Sequence, residues 1–176
     1  MLENYGMKPI IIKPDVDETI PSDMGMVDAV MFLALKKALF VETLVPGEVL
    51  HDPRIIIAAD TVVFTNRIIG KPENKEDAFR ILSEMNGKEH FVATGVALIE
   101  PFGVRKRVFC ETTKVFFKNY EESDIWEYVS TDEPYDKAGG YAIQGAWGKF
   151  VDRIEGDLNN VIGFPIGRIL KEIDDL

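Results

Sequence analysis

Residues 55–63 read Ile-Ile-Ile-Ala-Ala-Asp-Thr-Val-Val, a run with a single ionisable group, Asp60. The apolar, β-branched stretch 55–59 reads as a strand buried on both faces, the kind that lies inside a layered α/β domain. A carboxylate placed directly after it costs several kcal/mol unless it meets a cation, a metal or water. Open α/β sheets bind ligands at the carboxyl ends of their strands. Asp60, read as the end of this strand, is therefore a candidate site residue; the competing reading is an Asp that caps a turn. Gly70-Lys71-Pro72 begins ten residues after Asp60. A return of the chain through Asn66-Arg67 brings the Lys71 ammonium back toward that carboxylate.

A chain of 176 residues, 46% hydrophobic, is expected to form one domain with a substantial core. Its net charge of −10, from 20 basic and 30 acidic residues, excludes a broad surface for a nucleic-acid polymer. It leaves room for one small anionic substrate, since a few lysines and a divalent cation reverse the sign locally. Cys110 is the single cysteine and has no partner for an internal disulfide, so a reducing cytoplasm is the expected compartment. Its neighbours Phe109 and Glu111 supply no activating cation, which favours a packing role over a catalytic thiol. No apolar run is long enough to span a membrane and no secretory leader opens the chain, so no membrane partner is expected.

In chain order, 1–6 resembles the last turn of a helix stopped by Gly6. Residues 8–13 are expected as a strand. In the acidic loop that follows, Asp15, Asp17 and Glu18 repel one another unless a cation such as Mg²⁺ joins them; a solvated loop is the alternative. A helix over 28–41 is apolar nearly all round except for Lys36 and Lys37, so it is largely buried, with a lysine reaching a pocket or the surface. His51, in the polar loop 46–54, reads as solvent-facing. Asn74 and Asp77 open a helix closed by Asn86-Gly87. Strands over 90–99 and 106–117 pair through Pro101-Phe102-Gly103, and His90 reads as a strand-start histidine bonded to backbone or, less simply, as a ligand. A helix over 121–130 precedes a run with four glycines in the ten residues 139–148. That run lets the backbone approach a ligand, and Gln144 within it offers a donor and an acceptor to a base edge. A strand over 150–154 follows, then a helix over 166–173 opened by Pro165. Strands alternating with helices early and forming hairpins later imply a mixed sheet in an α/β fold.

These pieces, in this order, resemble the Maf family of nucleoside-triphosphate pyrophosphatases. The motifs are Asp17-Glu18, Ala34-x-x-Lys37-Ala38, Ala59-Asp60-Thr61-Val62-Val63, Gly70-Lys71-Pro72, Gly87-x-x-His90 and Thr94-Gly95-Val96. They continue through Asp136-Lys137-Ala138-Gly139-Gly140-Tyr141-x-Ile143-Gln144-Gly145 and Asn159-Asn160-Val161-Ile162-Gly163-Phe164-Pro165. The resemblance implies a single α/β domain over 1–176, related to inosine triphosphatase, with a twisted mixed sheet, flanking helices and a deep nucleotide-binding cleft. It implies cleavage of a nucleoside triphosphate between its α and β phosphates, with Mg²⁺ or Mn²⁺ as cofactor. Asp60 would activate the water, Glu18 would hold the metal, and Lys37 and Lys71 would neutralise phosphate oxygens. Thr61 and Gln144 match positions that choose the base, and Ala-Asp-Thr resembles the branch acting on dTTP and UTP. A homodimer is also implied as a possible state.

The chain departs from the family pattern at its start. The first strand and the Ser-x-Ser-Pro-Arg-Arg loop are not in it, and the orphaned turn at 1–6 points to a start inside a longer reading frame rather than to a shortened member. Arg54, Arg67 and Arg80 are not at matching positions. Two other readings stay open on sequence: a nucleotide-binding regulatory protein of the same fold without turnover, and a phosphatase-like hydrolase with Asp60 as nucleophile.

Overall fold

A twisted sheet of five strands in the order β2-β1-β3-β4-β5 carries the domain. The computed structural model describes residues 1–21, 23–45 and 54–176, so His51 lies outside the described residues. The strands are β1 (Ile56–Phe64), β2 (Ile68–Ile69), β3 (Glu89–Ile99), β4 (Lys106–Phe117) and β5 (Val151–Glu155). Every pairing among them is antiparallel. A mixed sheet was the expectation, and the α/β class holds without it. β1–β2 and β3–β4 are hairpins, and the one segment read as a further strand, residues 8–13, joins no ladder among the described residues. Ile10, Ile11 and Ile12 are exposed there instead.

α1 (Met26–Leu44) covers one face of the sheet. Its buried Ala34 and Ala38 pack on Ile56, Ala97 and Ile99, and Val30 packs on Val62 and Ala93. Small residues along this stripe bring the helix axis close to the strands. Gly95 carries this furthest: a Cβ there would overlap the main chain of α1 at Val30 and Met31. Gly95 sits directly opposite Asp60 in the β1–β3 register. The same close approach therefore delivers α1 to Asp60.

The other face carries α2 (Lys75–Met85), α3 (Glu122–Tyr128), α4 (Leu158–Val161) and α5 (Ile166–Asp174). α2 begins where the sequence places it, with the Asn74 side chain accepting from the Asp77 amide at 2.9 Å. Pro165 stands at the cap of α5, one position ahead of its first turn. β1 does not stop at Asp60 as the sequence reading had it. The β-branched residues Thr61, Val62 and Val63 continue the ladder to Phe64, because β-branched side chains fit the pleat wherever their faces are covered. Asp60 is thus a mid-strand residue. Among the described residues, however, its strand is paired outward only at Val63 and Phe64, by β2.

His90 is buried among aromatic rings, not bonded to backbone. Its Nε2 lies 2.7 Å from the Tyr141 hydroxyl, its ring centroid is 4.7 Å from that of Phe117, and its Nδ1 is buried without a partner among the described residues. Burial lowers its pKa from 6.5 to about 4, so the folded chain keeps it neutral where the unfolded chain protonates it. The resulting stability is present above pH 6.5 and is lost as pH falls from there to about 4. The full loss is about 3 kcal/mol. Urea midpoints of the parent chain should therefore fall more steeply across this window than those of His90→Gln. Parallel curves would assign the acid sensitivity to other groups.

Candidate active site

The adjacent lysines of α1 point to different partners, as a helical step of one residue requires. Lys36 donates to the main-chain carbonyl of Asp17. Lys37 bridges two carboxylates, Asp60 through a short ion pair and Glu18 at 2.8 Å. These contacts lay the acidic segment along α1. Asp17 has its own local use, accepting from the Thr19 amide at 2.9 Å and from the Thr19 hydroxyl at 2.6 Å.

Burial shapes the charges of this triad. Desolvation pushes the Asp60 pKa up, against the hydrogen bond and charge of Lys37. Lys37 is desolvated as well, yet the hydrogen bonds and charges of Asp60 and Glu18 outweigh that loss and hold its ammonium above its ordinary value. Glu18, bonded to Lys37, is pulled down. Asp60 is thus a carboxylate of raised basicity held beside a firm cation, the condition a proton acceptor needs.

The triad opens into a cleft of about 420 Å³. Glu18, Lys37, Asp60, Lys71, Asp136 and Lys137 give it a charged wall, and Thr61, Val161, Ile162 and Gly163 a neutral one. Residues from both faces of β1 reach it because residues 56–62 have ladder partners on the β3 side alone among the described residues. The Lys71 charge reaches Asp60, Glu18 and Asp136. It is held there by the Gly139 amide, which donates to the Gly70 carbonyl at 2.9 Å. Gly139 has φ 72°, and a Cβ on it would press into Val63, so the glycine-rich loop rests directly on β1. That contact also sets Asp136 and Lys137 at the cleft, two residues to which the sequence reading gave no role. Their only local signal was an acid–base pair opening a glycine run.

The structure therefore gathers Glu18, Lys37, Asp60, Thr61 and Lys71 at one cleft. Gln144 is exposed and is not among the lining residues. It sits in a turn closed by the Gly145 amide on the Ala142 carbonyl. The next amide, of Ala146, is held by the Glu133 carboxylate at 3.1 Å. Asp60 caps no turn, since its side chain is spent on Lys37. Cys110 is half-buried and burial raises its thiol pKa, in keeping with packing.

Among the described residues no three His, Cys, Asp or Glu side chains converge on a metal position. The two carboxylates that share Lys37 are hard oxygen donors suited to Mg²⁺ or Mn²⁺, which take one or two carboxylates and complete their shell with phosphate oxygens and water. The donor set fits such a cation only in company with a phosphate ligand. Among the described residues no helix is long and apolar enough to cross a membrane.

Residues 1–176 match the family model described as Maf-like protein. Curated relatives named dTTP/UTP pyrophosphatase are similar along nearly the whole length. One from Geobacillus sp. (strain WCH70) is 41% identical over 178 residues, covering 100% of this chain and 91% of the relative. One from Caldicellulosiruptor bescii is 41% identical, covering 96% and 84%. One from Desulfitobacterium hafniense is 42% identical, covering 98% and 78%.

Proposed function

We propose, from the premise that this chain belongs to the Maf-like family, that it hydrolyses nucleoside triphosphates to the monophosphate and pyrophosphate, with dTTP and UTP as preferred substrates. The observation that carries the reading is the desolvated Asp60 carboxylate, held by Lys37 in a cleft that Lys71 and Lys137 also line. The names of the relatives support the substrate class.

In this reading Asp60 takes a proton from a water molecule as its oxygen bonds to the α-phosphorus. The bond from that phosphorus to the bridging oxygen breaks, and pyrophosphate leaves with the electron pair. Lys37 stands between Asp60 and Glu18 and gives part of its bonding to phosphate when substrate enters. Lys71 and Lys137 neutralise the oxygens that gain charge, the electrostatic share of the barrier lowering. Glu18, with Asp60 beside it, would hold the divalent cation. That cation supplies charge neutralisation and orientation of the triphosphate. Thr61 contacts the base. Gln144, the other base-choosing position that the resemblance implies, is exposed and is not among the lining residues, so the reading does not rest on it. A nucleotide-binding module without turnover is less favoured, since binding alone gains nothing from a buried carboxylate facing anionic phosphates. The cytoplasm remains the proposed compartment, supported by the one half-buried thiol.

The test is pyrophosphate release by the purified chain with Mg²⁺ or Mn²⁺ across a panel of nucleotides. UTP and dTTP are expected to exceed ATP and GTP in kcat/KM by about ten-fold or more. No pyrophosphate from any nucleotide would overturn the reading.

A further inference from the structure

We infer that Thr94, anchored on Asn160, fixes the Thr61 hydroxyl as a hydrogen-bond acceptor toward the cleft, and that the chain thereby selects a base whose ring nitrogen carries hydrogen, uracil or thymine, over cytosine. The inference deepens the proposed function and rests on it.

A chain of hydroxyls, each with one proton, runs from the cleft into the core. Thr61 and Thr94 are directly opposite one another in the β1–β3 register, with Oγ1 atoms 2.9 Å apart. Distance alone leaves the donor open. Thr94 is buried, and its Oγ1 donates to the main-chain carbonyl of Asn160 at 3.1 Å. A carbonyl only accepts, so the single Thr94 proton is committed there. Thr94 must then accept from Thr61, and Thr61's own proton points inward. What Thr61 offers the cleft is lone pairs.

Asn160 is itself held rigidly. It is buried, and its amide nitrogen donates to the Val92 carbonyl and to the Thr113 hydroxyl, both at 3.0 Å. Thr113 in turn donates to the Asp157 carbonyl at 3.0 Å. The Asn160 carbonyl takes a second bond from the Gly163 amide at 2.9 Å. Turning the Thr94 proton toward Thr61 instead would give up its bond to the Asn160 carbonyl, which would keep only the Gly163 amide, so the direction with Thr61 donating to Thr94 holds one more buried hydrogen bond. Space is left beside Thr61 as well. Gly163 has φ 99°, and a Cβ on it would come within 3.2 Å of the Thr61 hydroxyl. A planar ring can therefore approach that oxygen along the neutral wall.

An acceptor at this point pairs with the ring N3–H of uracil or thymine. Cytosine brings an unprotonated N3 there, lone pair against lone pair. Thr94 touches no substrate and is a positioning residue, so its test must read base choice rather than rate alone. Thr94→Val keeps shape and removes the acceptor, which frees the Thr61 proton to turn into the cleft. The UTP-to-CTP ratio of kcat/KM should then fall by about ten-fold or more, while Thr94→Ser should keep the parent ratio. A folded Thr94→Val with the parent ratio overturns the inference. Should that variant not fold, the unaltered chain is given 3-deaza-UTP, in which C–H replaces the ring N–H without added bulk. A loss of about ten-fold against UTP supports the acceptor, and equal kcat/KM refutes it. The products UMP and CMP, titrated calorimetrically, give the same ratio without turnover. An unaltered chain that hydrolyses nothing but binds UMP over CMP would sink the proposed reaction and leave the hydroxyl polarity standing.

Discussion

Asp60→Asn should lower pyrophosphate release from UTP by about a thousand-fold, the middle of the range for loss of a positioned general base. The substitution is nearly isosteric. The amide oxygen still accepts from Lys37, and Lys37, Glu18 and Lys71 keep their places. What disappears is the basic oxygen whose pKa burial had raised. UMP binding should survive, because the cations that line the cleft are untouched. Retention of more than about a tenth of the activity would remove Asp60 from the role of base. The same raised basicity predicts that the acid limb of kcat/KM lies above the ordinary carboxylate range, and a limb at or below that range would count against it.

Gly95→Ala should cost about 3 kcal/mol in urea unfolding and lower the Tm by about 10 °C. The new methyl group has no flexible side chain to push aside, only the main chain of α1 at Val30 and Met31. α1 must move off the sheet to admit it. Because Lys37 rides on the same helix, the variant should also lose activity beyond what its folded fraction explains. A shift in Tm of under about 2 °C would show that the helix accommodates the methyl group, and the close approach would lose its significance.

β1 was legible because five consecutive apolar residues leave little else for the chain to do. Its end was not, since a charge resembles a terminus while the β-branched residues beyond Asp60 favour continuation. The strand expected at 8–13 had the right composition, but composition supplies no partner edge, and the segment pairs with nothing among the described residues. Local signals served best where the physics is local, as with the Asn74 cap of α2. The Lys37–Asp60 pair joins residues far apart in sequence, so nothing in periodicity could place it; the ordered motifs named both residues, and the small-residue stripe of α1 explains why they meet. Gln144 shows a related limit of local signals. A glycine run announces that the backbone comes close to something, but not which of its residues turns inward. Here Gln144 is exposed beside a turn held by Glu133, and Lys137 is the residue of this stretch whose charge lines the cleft. His90 was misread because its partner Tyr141 comes from a distant loop.

The account turns on where water attacks, and isotope labelling answers that directly. UTP hydrolysed by the chain in ¹⁸O-water, with the products separated and weighed by mass spectrometry, should give UMP carrying one heavy oxygen and pyrophosphate carrying none. That outcome requires the water oxygen to bond to the α-phosphorus, the atom at which Asp60 is placed to activate it. Heavy oxygen in pyrophosphate or in inorganic phosphate, or an aspartyl-phosphate trapped on Asp60, would contradict it.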